Sequence, residues 1–264
     1  MKQRIVTGVI AGAFFLALLF AGGIWFTLFI ALISVITFHE LMAMAKHEKV
    51  LVAEVLGAIT VAILVLYDVL SPYLFGLSFT DLWLALTILL LLLSIFTHNQ
   101  FHFAHCAFVS FSAFYIGLSF HYFSAARESG LGIILFILIL IWTTDSGAYF
   151  VGRKFGKHKL APVISPNKTV EGFLGGVTLA VLAACLFQAV ADLAILHSPV
   201  KLVASALIVS VFGQLGDLAE SGLKRHFGVK DSGKILPGHG GLLDRFDSLI
   251  FILPILHLLN VFNF

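Results

Sequence analysis

Apolar runs about as long as a bilayer is thick follow one another along almost the whole chain, and this recurrence limits the fold more than any motif does. In hydrocarbon every backbone N–H and C=O must be satisfied inside the protein, so such segments cross as helices or as closed barrels. A helix spanning about 30 Å needs roughly 20 apolar residues. Nine runs meet or approach that length, near residues 5–21, 23–42, 51–70, 82–97, 104–124, 131–151, 172–192, 199–220 and 246–262. They are continuous, not alternating, which selects helix over barrel strand. The sequence therefore predicts an all-α, polytopic integral membrane protein of about nine transmembrane helices. Composition agrees: of 264 residues, 60% are hydrophobic and 11% charged, against about 25% charged in an ordinary soluble domain. The basic start and the small residues Ala21 to Gly23 imitate a signal peptide. The next apolar run follows so closely that a retained first span, joined to the second by a tight Gly-Gly turn, is the expectation.

Charge placement orients these spans. Cytoplasmic loops are enriched in lysine and arginine. With a cytoplasmic N-terminus, Lys2, Arg4, Lys46, Lys49, Arg153, Lys154, Lys157, Lys159, Lys168, Lys224, Arg225, Lys230, Lys234 and Arg245 all face inward, and only Arg127 and Lys201 face outward. A net charge of +2 and the absence of any basic stripe exclude nucleic acid as a partner. Cys106 and Cys185 lie far apart in apolar stretches and read as packing residues. No repeat, low-complexity tract or soluble domain interrupts the pattern. The expectation is one integral membrane domain over 1–264, with N-terminal helices in 1–130 and both long polar loops in 131–264.

Those two loops hold most of the charge, on one side of the membrane. The first is TTDSGAYFVGRKFGKHKLAPVISPNKTVEGFLGG, residues 143–176. Asp145 falls near the end of an apolar helix, where an unpaired carboxylate is costly, so it should have a partner. Arg153, Lys154, Lys157, Lys159 and Lys168 suit phosphates, although the middle three serve equally as inside anchors. SPNKTVEG runs into a helix start whose N–H groups can receive an anion, with Ser165, Asn167, Lys168 and Thr169 as donors. The GxxxxGK[ST] spacing of a P-loop is absent.

The second loop begins at GQLGDLAESGLKRHFGVKDSG and continues through KILPGHGGLLDRFDS. On a helix, Asp217, Glu220, Ser221 and Lys224 fall at i, i+3, i+4 and i+7, on one face. Asp244 and Asp247 sit three apart at the next helix start, where the dipole favours carboxylates. Such helix ends, brought together, would offer oxygen ligands of the kind Mg²⁺ takes, leaving room for water and phosphate. His239 either contacts a phosphate or bonds the backbone. Arg245 either neutralises its aspartate neighbours or clamps a phosphate.

The run from Ser221 to Asp247, SGLKRHFGVKDSGKILPGHGGLLDRFD, resembles without departure the signature of the phosphatidate cytidylyltransferases, also called CDP-diacylglycerol synthases. Its pattern is Ser, a hydrophobic residue two later, Lys-Arg, Lys-Asp, a small residue, Pro, His-Gly-Gly and Asp-Arg-hydrophobic-Asp. The upstream stretch DSGAYFVGRKFGKHKLAPVISPNKTVEG is similar to the family's second shared block. The resemblance implies transfer of CMP from CTP to phosphatidic acid, giving CDP-diacylglycerol and pyrophosphate, with Mg²⁺ required and a second metal ion left open. It implies metal ligation by Asp244, Asp247 and Asp231; Asp217 joins them on helix geometry and general family likeness. Lys224, Arg225, Lys230, Asp231, His239 and Arg245 are the expected catalytic groups, and Asp145, Ser165, Lys168 and Ser221 the expected substrate or nucleotide contacts. The implied setting is a bacterial inner membrane with the site facing the cytoplasm; homodimerisation is left open.

Other signals carry less. His98, His102, His105 and Cys106 are close in sequence but lack zinc-site spacing and read as interfacial. His39 and Glu40 either cap a helix end or face the cavity. A CDP-alcohol phosphatidyltransferase would carry a DGxxAR-type motif, which this sequence lacks. A transporter would show inverted repeats with broken helices, and no such symmetry is visible.

Overall fold

The computed structural model describes residues 2–45, 50–235, 238, 240–262 and 264. Lys46, Lys49, Pro237 and His239 lie outside the described residues. The chain divides into two compact units, one of residues 1–124 and 231–245, the other of 125–230 and 246–264.

The first unit holds α1 (Lys2–Ala21), α2 (Gly23–Ala45), α3 (Leu51–Val65), α4 (Tyr67–Leu70), α5 (Phe79–Phe96) and most of α6 (Phe103–Glu128). The tight turn forms as expected: Gly22 and Gly23 take φ of +65° and +55°, a left-handed conformation that favours glycine. It folds α1 back on α2, where Phe14 meets Phe29 edge-on at 5.4 Å. Phe26, Ile30 and Phe38 of α2 are fully buried. Small residues seat the neighbouring helices. A Cβ at Gly57 of α3 would strike the Phe38 ring, and one at Gly117 of α6 would lie 2.7 Å from Leu64. Thr27 and Ser124 share a buried hydroxyl hydrogen bond of 2.7 Å.

The second unit holds α7 (Leu131–Phe155), β1 (Lys159–Ala161), β2 (Ser165–Thr169), α8 (Val170–Ala191), α9 (Pro199–His226) and most of α10 (Leu243–Leu258). The first polar loop is more ordered than a connection: β1 and β2 pair antiparallel, Lys159 opposite Thr169 and Ala161 opposite Ser165. Thr169 then caps α8, its hydroxyl accepting from Gly172 N at 3.1 Å. Glu171, in the first turn, accepts from Lys157 N at 3.0 Å and from His158 N at 3.2 Å, tying the end of α7 to the start of α8. Along their length α7 and α8 meet through glycines. A Cβ at Gly172 would lie 2.7 Å from Ala148 O, and one at Gly176 would lie 2.8 Å from Thr144 O. This is small-residue packing of membrane helices, in which close backbone approach replaces hydrophobic association.

Helices occupy all nine expected runs. Six of them, α2, α5, α6, α7, α8 and α9, are long and apolar enough among the described residues to cross a membrane. The expected single span over 51–70 is instead two pieces bent by 82° after Val65. The bent piece is held where Tyr67 donates to Leu77 O at 2.9 Å and stacks 4.1 Å from Phe79. Counting the bent pair as one span gives seven. The described apolar stretch of α1, Thr7–Ala21, is shorter. So is α10, which begins with charged residues and carries Pro254, where no backbone N–H can donate. The molecule is an all-α polytopic membrane protein.

If glycine closeness sets the α7–α8 crossing, Gly172→Ala should lower stability by about 1–3 kcal/mol despite its gain in helix propensity. Gly12→Ala, with nothing within 4 Å of the new methyl, should be neutral or slightly stabilising. Thermal unfolding in detergent checks both.

Candidate active site

In the second unit α7, β2, α8 and α9 enclose a cavity of about 480 Å³, lined by Asp145, Tyr149, Asn167, Lys168, Gln214 and Asp217 among others. Each wall is placed by local structure. Asp145 and Tyr149 are one helical turn apart on α7, and Arg153, a further turn on, donates to the Tyr149 hydroxyl at 3.2 Å. The hairpin carries Lys168 across to α9, where its ammonium meets Asp217 Oδ2 at 2.6 Å. Gln214, one turn before Asp217, donates to Phe173 O at 3.3 Å and binds α9 to α8.

The face predicted on α9 is present. Ser221 donates to Asp217 Oδ1 at 3.3 Å, and Lys224 pairs with Glu220 at 2.5 Å. Gly216 lets α10 come close: a Cβ there would lie 3.2 Å from Asp247 O and nearer still to Phe251. Asp247 is thereby within electrostatic reach of Asp217, Asp145 and Lys224. Asp145 feels both Asp217 and Lys168. Arg153 and Lys168 thus line the cavity with Asp145 and Asp217, and Glu220 and Lys224 pair beside them on α9.

Among the described residues no three His, Cys, Asp or Glu side chains are grouped to hold one ion by themselves. Mg²⁺ binds through one or two carboxylates and completes its octahedron with water and phosphate oxygens. Asp217 and Asp247 offer oxygen donors that fit such an ion. The sequence neighbours His102 and His105 stack on each other at 3.8 Å, and Cys106 donates to Leu90 O at 3.3 Å.

Other expected site residues are not among those that line this cavity. Arg225 directs its guanidinium to the backbone, Nε to Ile164 O and Nη1 to Val229 O, both at 3.3 Å. Ser165 opens β2 outside the cavity lining, and Lys230 is exposed. In the first unit Asp231 and Arg245 are exposed. There Asp244 Oδ2 accepts three bonds, from Ser232 N at 2.9 Å, Ser232 Oγ at 3.0 Å and Gly241 N at 2.9 Å. His239 lies outside the described residues. Sequence reading passed over Tyr149 and Gln214, whose signal was their one-turn spacing from Asp145 and Asp217. It left Glu40 between two roles; the structure buries it against the segment 232–243.

Fold and cavity together define a polytopic helical membrane protein with a pocket of mixed charge built where three helices and a hairpin meet. The cytidylyltransferase family model matches residues 2–262. The chain is similar to the phosphatidate cytidylyltransferase of Bacillus subtilis (strain 168), 46% identical over 98% of this chain and 97% of that one. It is also similar to those of Staphylococcus epidermidis, at 44% identity over 99% of each chain, and of Staphylococcus aureus, at 42% over 99% of each. The chain belongs to the cytidylyltransferase family.

The Lys168 and Asp217 side chains are 26% and 34% exposed, so solvent screens their attraction in part. A double-mutant cycle of Lys168→Met and Asp217→Asn, read by unfolding in mixed micelles, should give a coupling of about 1 kcal/mol. A coupling near zero would mean that the pair does not hold the hairpin to α9.

Proposed function

We propose that this protein transfers the CMP group of CTP to phosphatidic acid, releasing pyrophosphate and forming CDP-diacylglycerol for phospholipid synthesis. The observation that carries this reading is that residues from both polar blocks, Asp145, Lys168 and Asp217, line one cavity in a chain nearly coextensive with relatives named phosphatidate cytidylyltransferase. In the reaction a phosphate oxygen of the lipid forms a bond to the α-phosphorus of CTP. The bond from that phosphorus to the oxygen bridging to the β-phosphorus breaks, and pyrophosphate leaves. The attacking oxygen is already anionic, so the site needs position and charge stabilisation more than a strong base.

Lys168 offers its ammonium to nucleotide phosphate from the cavity wall, with Asp217 fixing its direction. Ser221 orients Asp217 from the following turn. Asp217, with Asp247 from α10, would hold Mg²⁺, and Asp145 stays with the nucleotide contacts. When bound, the ion supplies positive charge to phosphate oxygens as charge shifts to the leaving group. Lys224 balances Glu220 beside these acids. Lys230, Arg245 and His239 are assigned to phosphate contact on the family motif alone, and Asp231 and Asp244 join the metal set on the same ground. The basic residues Arg153, Lys154, Lys157 and Lys159 cluster at the end of α7 and in the hairpin, which supports a cavity opening to the cytoplasm across a bacterial inner membrane.

Purified protein given radiolabelled CTP, phosphatidic acid and Mg²⁺ should place label in lipid, and EDTA should abolish it. Asp247→Asn should cut the rate about 100-fold or more. Incorporation untouched by that substitution would remove Asp247 from the site, and no incorporation by the wild-type protein would contradict the reaction itself.

A further inference from the structure

The signature segment is closed at its base by a residue far away in sequence. Glu40 lies near the end of α2 and is only 8% exposed. Its Oε1 accepts from Leu242 N at 3.0 Å, and its Oε2 from Leu243 N at 2.9 Å and Ser232 Oγ at 3.2 Å. Ser232 is shared, because its hydroxyl and its amide also reach Asp244 Oδ2, which takes Gly241 N as well. Two carboxylates therefore gather donors from Ser232 and from Gly241, Leu242 and Leu243 at one point, a neck that brings the two ends of the segment 232–243 together. Asp244 reaches back along its own helix in the manner of a capping acid. Glu40 meets the N-terminus of α10 from another helix, where the dipole favours negative charge.

The neck has no slack. A Cβ at Gly233 or at Gly241 would collide with the Glu40 carboxylate, and one at Gly241 would also strike Ser232 Oγ. Glycine is required on both strands because the carboxylate occupies the space a side chain would take. Two amide hydrogen bonds and the shared Ser232 hydroxyl, all charge-assisted, hold the two ends of the segment to one buried carboxylate.

We propose that Glu40 is a positioning residue for the reaction: by tying Ser232 to Leu242 and Leu243 it fixes the ends of the 232–243 segment, which are flanked by Asp231 and Arg245. This rests on the proposed function, which assigns Asp231 to the metal and Arg245 to phosphate on the family motif. Glu40 touches no substrate; it acts through the loop amides.

The test uses full-length protein in detergent, with two variants and two readouts. Hydrogen exchange followed by mass spectrometry reads the neck directly. In Glu40→Ala the peptide covering 232–243 should exchange about tenfold faster or more, while peptides from α7 and α8 keep wild-type protection. With CTP varied, kcat should fall about 10- to 100-fold in the same variant, as expected when a catalytic loop is misplaced. Glu40→Gln keeps the volume and one carbonyl acceptor, so it should fall between wild type and Glu40→Ala in both readouts. Unchanged exchange at 232–243 in Glu40→Ala overturns the proposal. So does faster exchange with kcat and KM within about twofold of wild type, since a purely structural contact would leave turnover of the folded protein intact. If Glu40→Ala loses protection throughout, Glu40→Gln decides, and wild-type kcat in that variant overturns the proposal. Absent label transfer by the wild-type protein would contradict the proposed reaction instead, and the exchange difference would still decide whether Glu40 orders the loop.

Discussion

A carboxylate set beside hydrocarbon must be matched, and the polar half of this protein is organised around how each one is matched. Asp217 is met by Lys168 and Ser221, Glu220 by Lys224, and Glu40 by two amides and a hydroxyl. Glu171 is met by the amides at the start of the hairpin. The Lys168–Asp217 pair and the Glu40 contacts join elements distant in the chain, whereas Ser221 and Lys224 match their acids within α9. Within the second unit Asp145 and Asp247 stand within electrostatic reach of Asp217, and it is here that the proposed reading puts a cation and the substrate phosphates.

Glycine makes the arrangement possible. Gly172 and Gly176 bring α8 against the backbone of α7, and Gly216 brings α10 against α9. With larger residues at these positions, the helices carrying Asp145, Asp217 and Asp247 would stand further apart, and the acids would lose electrostatic contact. The cavity lies beside the same close approach: Gly152 and Gly172 line it, and the hairpin contributes Lys168.

Much of this was legible in the sequence because it rests on local period. Continuous apolar runs placed the helices, the Gly22–Gly23 pair gave the first turn, and the spacing of Asp217, Ser221 and Lys224 gave a shared face. Thr169 read correctly as part of a helix start because capping is decided within three residues. What escaped was non-local. The break after Val65 depends on Tyr67 meeting Leu77 and Phe79, with neither proline nor glycine at Leu66 to announce it. Arg225 stands in a basic motif, yet its guanidinium is directed to two carbonyls, one 61 residues away. Glu40 and Ser232 are 192 residues apart, and no pattern in either segment points to the other. The residues of the signature were visible, and so was Glu40 as a candidate; the contact between them was not.

The account depends on Asp217 and Asp247 sharing a divalent cation. Crystals of the wild-type protein grown with Mn²⁺ in place of Mg²⁺, measured at the manganese absorption edge, test this most directly. An anomalous peak bonded to carboxylate oxygens of both residues is the predicted result, with the peak lost in crystals of Asp247→Asn. A protein active with Mn²⁺ whose anomalous peak touches neither aspartate would contradict it.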